Sequence, residues 1–415
     1  MSLPNRSATP LTVLQYRDFR LLWMGQVSSL VGTRMQSAAL LWHVYELTHS
    51  EYALGWIGLA RLLPLIAFAL IGGVLADALN RRMLMLFSQS MMALLAGWLS
   101  WATLNGYDTP WLIYAVAGFT AGIGSLDAPA RQSLTPLLIP RELLAKAVSL
   151  NSISSQLASI AGPALMGLVV AQLGVGWVYA ANAVSFGAVI AALLLMRPVS
   201  PGSDAPRPRV SLQSAVEGLR FVLNSRLLLS LMVLDFLASF FSSASILLPV
   251  YARDILKVGP AGYGWLSAAA SVGAVAAALG LSLAPPIRRQ GAAVLAAVFC
   301  YGLATIAFGL SRSFWICFLA LVGTGAADTV SMVLRQTIRQ LYTPDEMRGR
   351  MTAINMLFVR GGPQLGELEA GLVAGWLGAP FSVISGGIGC LFVVLGIASR
   401  FPRLLHYKDG ESELK

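Results

Sequence analysis

Charged side chains interrupt several long apolar stretches of this sequence, and they are the residues best suited to chemistry. They are Arg34, Arg61, Asp235, Asp328, Arg360, Glu367 and Glu369. A charge at the centre of a lipid bilayer costs roughly 2.5 to 3.5 kcal/mol or more, so its presence in an apolar segment indicates a functional role. Arginine keeps its proton in proteins, whereas a carboxylate can gain and lose one. The pattern therefore predicts a site that binds a small molecule, a proton, or both.

Three of these polar residues share one face of a single predicted helix. Arg360 and Glu367 are seven residues apart, which is about 700° of rotation, and Gln364 lies between them on the same face. We predict this stripe as the main substrate or proton-coupling site, with Glu367 as the proton carrier. A structural ion pair that locks the helix would explain the same spacing. Further candidates are Arg34, Arg61, Asp235 and Glu369.

The composition is that of a membrane protein. Of 415 residues, 56% are hydrophobic and 12% are charged, and the mean hydropathy is +0.71, whereas soluble domains carry about 25% charged residues. A membrane-spanning helix needs roughly 20 mostly apolar residues. The sequence predicts an all-α polytopic membrane protein with twelve helices, near 19–45, 53–76, 83–105, 111–126, 147–173, 176–196, 227–251, 262–284, 291–310, 314–334, 350–377 and 379–399.

The positive charges predict the orientation. Most Lys and Arg residues lie in alternate connections between the predicted helices, and such connections face the cytoplasm. We expect a multi-pass protein of a bacterial-type inner (plasma) membrane with both termini cytoplasmic. The net charge of +10 could suggest nucleic acid, but the basic residues lie at helix ends rather than in one stripe. The cysteines, Cys300, Cys317 and Cys390, show no spacing typical of a disulfide framework or a metal site.

The chain divides near its middle into two related halves. A proline-rich connection at 197–226 ends in an amphipathic pattern, which predicts a cytoplasmic linker with an interfacial helix between bundles at 1–196 and 227–415. A shift of 204 residues superposes one half on the other at Arg131/Arg335, Gln132/Gln336, Pro140/Pro344, Glu142/Glu346, Asn151/Asn355, Gly162/Gly366 and Gly167/Gly371. The matched positions have the same membrane orientation, so we predict two six-helix halves related by a parallel pseudo-twofold axis.

The connection between the second and third predicted helices resembles the major facilitator signature G-x-x-x-D-x-x-G-R-R/K. It carries Gly73, Asp77, Arg81 and Arg82, with Asn80 where the family usually has glycine. A plain positive-inside turn would explain the arginines but not Asp77. The copy of this motif in the second half keeps the glycine and the arginines but lacks the acid.

The resemblance implies a cytoplasmic gate. The fourth predicted helix of this chain ends at the segment Asp127-Ala-Pro-Ala-Arg131. In the family, an acid at this place and the loop arginines form a charge network on the inner side of the membrane. The resemblance therefore implies such a network between Asp127, Arg81 and Arg82. A helix-end ion pair of little energetic value is the alternative. The predicted gate residues are Gly73, Asp77, Arg81, Arg82, Asp127, Arg131, Asp328 and Arg335. In the fifth helix, Gly162, Pro163 and Gly167 look like a shortened packing motif of the antiporter branches.

Across nearly the whole chain the sequence is similar to the enterobactin-exporter-like, drug:proton antiporter branch of the major facilitators. The segments that carry this resemblance are 19–23, 45–48, 127–132, 182–183 and 365–369. It implies proton-coupled efflux of a small molecule by alternating access, driven by the proton gradient without a cofactor. A symporter or facilitator of the same fold, and a membrane-embedded receptor or enzyme, remain alternatives. We expect a monomer that contacts the lipid bilayer, binds no metal or nucleic acid, and is not an enzyme.

Overall fold

A computed structural model of the protein describes residues 10–78, 80–197, 217, 220–285, 287–344 and 347–407. These residues form helices and no strand. The long helices are α1 (Arg17–Thr48), α2 (Glu51–Ala78), α3 (Arg81–Leu104), α4 (Pro110–Leu138), α5 (Leu144–Leu173), α6 (Val175–Leu195), α7 (Arg226–Phe241), α8 (Gly259–Leu283), α9 (Gln290–Leu310), α10 (Phe314–Tyr342), α11 (Arg348–Leu377) and α12 (Ala379–Arg400). A short helix, α13 (Pro402–His406), follows α12. After α7 the chain continues through short helical turns to Ile255.

Two helices extend well beyond their predicted ends. The prediction ended α4 at residue 126 and α10 at residue 334, but the helices continue to Leu138 and Tyr342. Pro129 and Pro136 lie inside α4, since neighbouring helices can compensate for a proline in a membrane segment. The longer α10 places Asp328 at its midpoint rather than near its inner end. The observed ends place Asp127 inside α4 and Arg335 inside α10, whereas the predicted ends left both residues just outside these helices.

Hydropathy alone identifies ten of the helices as long and apolar enough to cross a membrane, within the described part of the chain. The two long helices that fall short are α1 and α11. Both carry charged or polar residues that lower their mean hydropathy, including Arg34 in α1 and Glu367 in α11. The fold is therefore all-α and polytopic, while the count of twelve spans and the pseudo-twofold relation stay predictions.

The chain forms two compact units. Unit 1 comprises residues 1–43 and 60–208, and unit 2 comprises 44–59 and 209–415. Most of the predicted linker 197–226 lies outside the described residues, so the domain prediction is not tested. In unit 1, α3 packs against α4 and α6, and the close contact of α1 with α6 requires Gly32, since a Cβ there would lie 2.5 Å from Oδ1 of Asn182.

In unit 2, α10 packs against α8 and α9, and α7 packs against α11 and α12. An apolar core of this unit joins α7, α9, α10 and α12 around Leu234, Val294 and Ile338, which are fully buried. This core fixes α7 beside α10 and so positions the charged side chains that these two helices carry.

Candidate functional site

Unit 2 contains a buried ion pair between α7 and α10. Nη2 of Arg335 lies 2.9 Å from Oδ1 of Asp235, and Arg335 is only 4% exposed. Removing one partner would leave an uncompensated charge in an apolar core, which is strongly unfavourable. The two charges therefore hold each other, and they fix the orientation of α7 relative to α10.

Two further charged residues extend this pair into a cluster. Asp328, Arg335 and Arg339 follow each other on α10 at intervals of seven and four residues, which places them on one helix face. Oδ1 of Asp328 lies 3.8 Å from Nη2 of Arg335, and Nη1 of Arg339 lies 4.0 Å from Oδ2 of Asp235. The Asp328 side chain is 58% exposed, against 11% for Asp235. Asp235 thus lies between two arginines, whereas a larger part of the Asp328 side chain is exposed.

The cluster lies between two cavities of unit 2. The smaller cavity, of about 200 Å³, is lined by hydroxyl groups from Ser239, Ser242, Ser243, Tyr301 and Ser331. The larger cavity has a volume of about 880 Å³, within the range of small-molecule sites. Asp328 and Arg335 line both cavities.

Buried polar atoms around these cavities lack a hydrogen-bond partner within the described structure. They are Oγ of Ser331, in the smaller cavity, and Oδ1 of Asn355, in the larger one. A buried polar atom left without a partner costs about 1 to 3 kcal/mol. A bound molecule or water that completes these bonds is therefore favoured, which makes the region suitable for binding a polar ligand.

The predicted stripe on α11 has different surroundings. Glu367 packs against α2 at Gly58, where an added Cβ would lie 2.9 Å from the Glu367 Cβ and 2.7 Å from the carbonyl oxygen of Gln364. Oε1 of Gln364 is buried and has no hydrogen-bond partner in the described structure. The side chain of Arg360 lies outside the described residues, and Glu369 is half-buried. The described lining of the two cavities does not include Glu367.

In unit 1, Asp127 is buried inside α4 and faces α3. Its Oδ1 accepts hydrogen bonds from Ser88 Oγ and Gln89 Nε2, each 2.9 Å away. Arg81 donates to the Ser133 carbonyl and Arg82 to the Leu194 carbonyl. The predicted network of Asp127 with these arginines is therefore absent among the described contacts. The physical reason is that α4 continues past Asp127 and keeps its carboxylate at helix-interior depth.

The other predicted residues of unit 1 make separate contacts in the described structure, apart from Arg34 and Gly162, which pack together. Arg131 donates to Oε1 of Gln26 at 2.7 Å. Arg34 is exposed on α1, and Gly162 of α5 packs so closely on it that a Cβ would lie 2.5 Å from the Arg34 Cβ. Nη2 of Arg61 is buried without a hydrogen-bond partner among the described residues. Pro163 and Gly167 are buried in α5. Gly73 and Asp77 belong to α2, and their surroundings lie outside the described structure.

Comparison with known proteins decides the family. A family model described as "Transmembrane secretion effector", of the major facilitator type, matches residues 8–413. The chain belongs to this family. The family and the fold are those of transporters and not of enzymes, and the protein is a multi-pass membrane protein.

The transporter is similar to proteins named as enterobactin exporters. It is 27% identical to enterobactin exporter EntS of Escherichia coli (strain K12) over 392 residues, covering 94% of this chain and 93% of that protein. It is also 27% identical to EntS of Shigella boydii over 376 residues, covering 90% and 89%.

Solved transporters share the fold. The structure of nucleoside transporter NupG has a TM-score of 0.76 at 11% identity and covers 93% of this chain and 99% of that one. A bacterial homologue of the human lysosomal transporter Spinster has a TM-score of 0.73 at 14% identity, covering 94% and 98%. These likenesses establish the fold of the transporter.

The transporter also contains polar contacts that the sequence pattern did not reveal. Arg339 was missed as a site residue, although its spacing of four residues from Arg335 was a usable signal. His43 is buried and bonded to Asp108 at 2.7 Å and to the Tyr179 hydroxyl at 3.0 Å. Its partners lie far along the chain, so no local pattern could identify them.

Proposed function

We propose that this transporter exports a small molecule in exchange for protons, and that substrate and proton compete for Asp328. The observation that carries the proposal is the contrast between two neighbouring carboxylates. Asp235 is buried and held by Arg335, whereas Asp328 is 58% exposed and lines both cavities at the midpoint of α10.

The chemistry of exchange follows from this contrast. The arginines keep their protons, so a carboxylate must carry the transported proton. An ionised Asp328 accepts hydrogen bonds from a ligand, while a protonated Asp328 has lost that charge and binds the same ligand less well. Proton and ligand then exclude each other, which is the requirement for antiport. In this scheme Asp235 is a positioning residue that holds Arg335 in place.

The lining groups indicate the class of ligand. Serine hydroxyls, the Tyr301 hydroxyl and the Asn355 amide surround the carboxylate, so the site suits a small molecule that carries several hydroxyl or amino donors. The similarity to enterobactin exporters supports efflux as the direction. We propose the inner membrane as the location and enterobactin as the first compound to assay.

Opposing proton gradients test the proposal. The protein is reconstituted in proteoliposomes, and uptake is followed for enterobactin and for ligands that raise its unfolding temperature in a small-molecule screen. We expect an outwardly directed proton gradient to drive accumulation inside the vesicles, and dissipation of the gradient by an ionophore to abolish it. Accumulation driven by the reverse gradient would show symport, and transport indifferent to the gradient would show facilitated diffusion.

A matched pair of variants tests the assigned residue. Asp328→Asn keeps the shape of the side chain but has no charge and cannot exchange a proton. It should retain downhill exchange at a weaker apparent affinity for the ligand and lose gradient-driven accumulation. Asp18→Asn, at a half-buried position beside Arg17, is the control and should behave as the wild type. Gradient-driven accumulation by Asp328→Asn at the wild-type rate would remove Asp328 from the mechanism.

A further inference from the structure

The larger cavity of unit 2 continues along α10 past the ion-pair cluster. Among the residues that line it are five polar side chains of this helix, Asp328, Arg335, Gln336, Arg339 and Gln340. At about 100° of rotation per residue they fall within an arc of about 140°, so one face of α10 forms this wall. Asp328 and Arg339 are eleven residues apart, or about 16 Å along the helix axis. An extended ligand bound at Asp328 therefore reaches a second set of polar groups.

The Arg339 side chain makes no hydrogen bond within the described part of the chain. Its ion-pair partner is Asp235, but Nη1 of Arg339 lies 4.0 Å from Oδ2 of Asp235, whereas an N–H···O bond is about 2.7 to 3.2 Å long. Asp235 is already held by Arg335 at 2.9 Å. The Arg339 side chain is only 12% exposed, so water reaches few of its N–H donors. A ligand with an acceptor oxygen would satisfy them.

Side-chain amides lie on the same cavity wall as this guanidinium. Gln336 precedes Arg339 by three residues, and residues at this spacing are neighbours on a helix surface. Asn355 of α11 lines the same cavity, and its Oδ1 is buried without a hydrogen-bond partner in the described structure. A side-chain amide offers an acceptor oxygen as well as a donor NH₂ group. The wall thus combines the donors of Arg339 with two acceptor oxygens.

We propose that Arg339, Gln336 and Asn355 bind an amide group of the transported molecule. The guanidinium donates to the amide carbonyl, and the side-chain oxygens of Gln336 and Asn355 accept from the amide N–H. Rotation of the Asn355 amide brings its unpartnered oxygen to the ligand. The inference rests on the proposed function, since a hydroxyl group of the same molecule bonds to Asp328. The substrate class is then an extended, neutral compound with a hydroxyl group near one end and an amide near the other.

The charge balance favours an amide over a carboxylate at this subsite. Within the described lining of the larger cavity the charged residues are two carboxylates, Asp235 and Asp328, and two arginines, Arg335 and Arg339. Their charges cancel when Asp328 is ionised. A carboxylate on the ligand would add a negative charge beside Asp235 and would give the oxygens of Gln336 and Asn355 no donor. An amide adds no charge and supplies that donor, so it avoids the cost of an unpaired polar group.

Three probes that differ in a single group test the proposal. They are the N-methylamide, the methyl ester and the free carboxylate of 8-hydroxyoctanoic acid. Binding to the full chain in detergent is measured by isothermal titration calorimetry at one fixed pH, without a proton gradient. We expect the amide to bind roughly tenfold more tightly than the ester, which is about 1.4 kcal/mol for the one hydrogen bond that the ester lacks. The carboxylate should also bind more weakly than the amide.

Matched variants assign this preference to the named side chains. Gln336→Leu/Asn355→Leu removes both acceptors, so it should bind the amide and the ester within about twofold of each other. Its affinity for the ester should stay within about threefold of the wild type, which shows that the variant is folded. Arg339→Met should weaken both probes by a similar factor, because both carry the carbonyl. Thr337→Val, on the face of α10 opposite Asp328, is the control and should keep the wild-type preference.

Several results would overturn the subsite. They are equal affinities of the wild type for amide and ester, tighter binding of the carboxylate, undiminished preference for the amide in the leucine variant, and no binding of the amide at all. The proton readout is separate. A preference for the amide without proton release on binding would reject Asp328 as the competing group and keep the subsite. Proton release without that preference would reject the subsite alone.

Discussion

The pairing of Asp235 with Arg335 makes a quantitative prediction about stability. The closest atoms are 2.9 Å apart and both side chains are buried, and removing one partner of such a pair costs about 3 to 5 kcal/mol. Asp235→Asn should lower the free energy of unfolding by an amount near the lower end of this range, because Asp328 remains 3.8 Å from the Arg335 guanidinium. Arg335→Gln should cost more, because the remaining cation, Arg339, is 4.0 Å from Asp235.

A double-mutant cycle isolates the interaction. We expect Asp235→Asn/Arg335→Gln to be less destabilised than the sum of the single variants by about 1.5 to 3 kcal/mol. The free energy of unfolding is measured in detergent from tryptophan fluorescence against denaturant. Arg17 and Asp18 form an exposed pair at 3.4 Å, and their cycle is the control, with an expected coupling below about 0.5 kcal/mol. Additive losses at Asp235 and Arg335 would refute the argument that they form one buried unit.

Three further changes test separate parts of the structure. Glu367→Gln should keep gradient-driven transport, since the exchanged proton is assigned to Asp328; loss of coupling with normal binding would instead support Glu367 as the proton carrier. Gly58→Val should lower the free energy of unfolding by about 1 to 3 kcal/mol through overpacking. Gly97→Val is the control, because the nearest atom to an added Cβ there is 4.0 Å away, and it should cost less than about 1 kcal/mol. Equal losses of unfolding free energy in the two variants would contradict the close contact at Gly58. Asp77→Asn should slow transport while expression stays normal, because a charge-assisted contact of Asp77 would favour one conformation of the transporter. Unchanged transport kinetics would show that the connection between α2 and α3 only sets the membrane orientation.

The sequence indicated candidate residues more readily than it indicated the partners of those residues. Apolar runs interrupted by charges identified Asp235 and Asp328, because an ionisable group in an apolar segment is costly wherever it points. The contact of Asp235 with Arg335 joins α7 to α10 across about 100 residues of sequence, and a helical periodicity in the sequence cannot predict a contact at that separation. For this reason the sequence prediction assigned Asp328 and Arg335 to the gate and Asp235 to the substrate site, although the three side chains lie in one cluster.

Helix ends were the second source of error. Pro129 and the charge of Arg131 favoured an end to α4 near residue 126, but a membrane helix tolerates both inside a bundle. The same error in α10 placed Arg335 and Arg339 outside the helix, where they seemed to be topogenic charges. The predicted repeat pairs Arg131 with Arg335 in sequence, yet Arg131 donates to Gln26 while Arg335 binds a carboxylate.

The measurement that tests the central claim most directly is the number of protons released when a ligand binds. A ligand that stabilises the protein is titrated into it in detergent, and binding heats are compared in buffers of different ionisation enthalpy. Competition at Asp328 predicts net proton release in the wild type, at most one proton per ligand. It predicts no release from Asp328→Asn, which should bind the ligand measurably but more weakly because the amide lacks the carboxylate charge. Proton uptake on binding, or undiminished release in Asp328→Asn, would contradict the account.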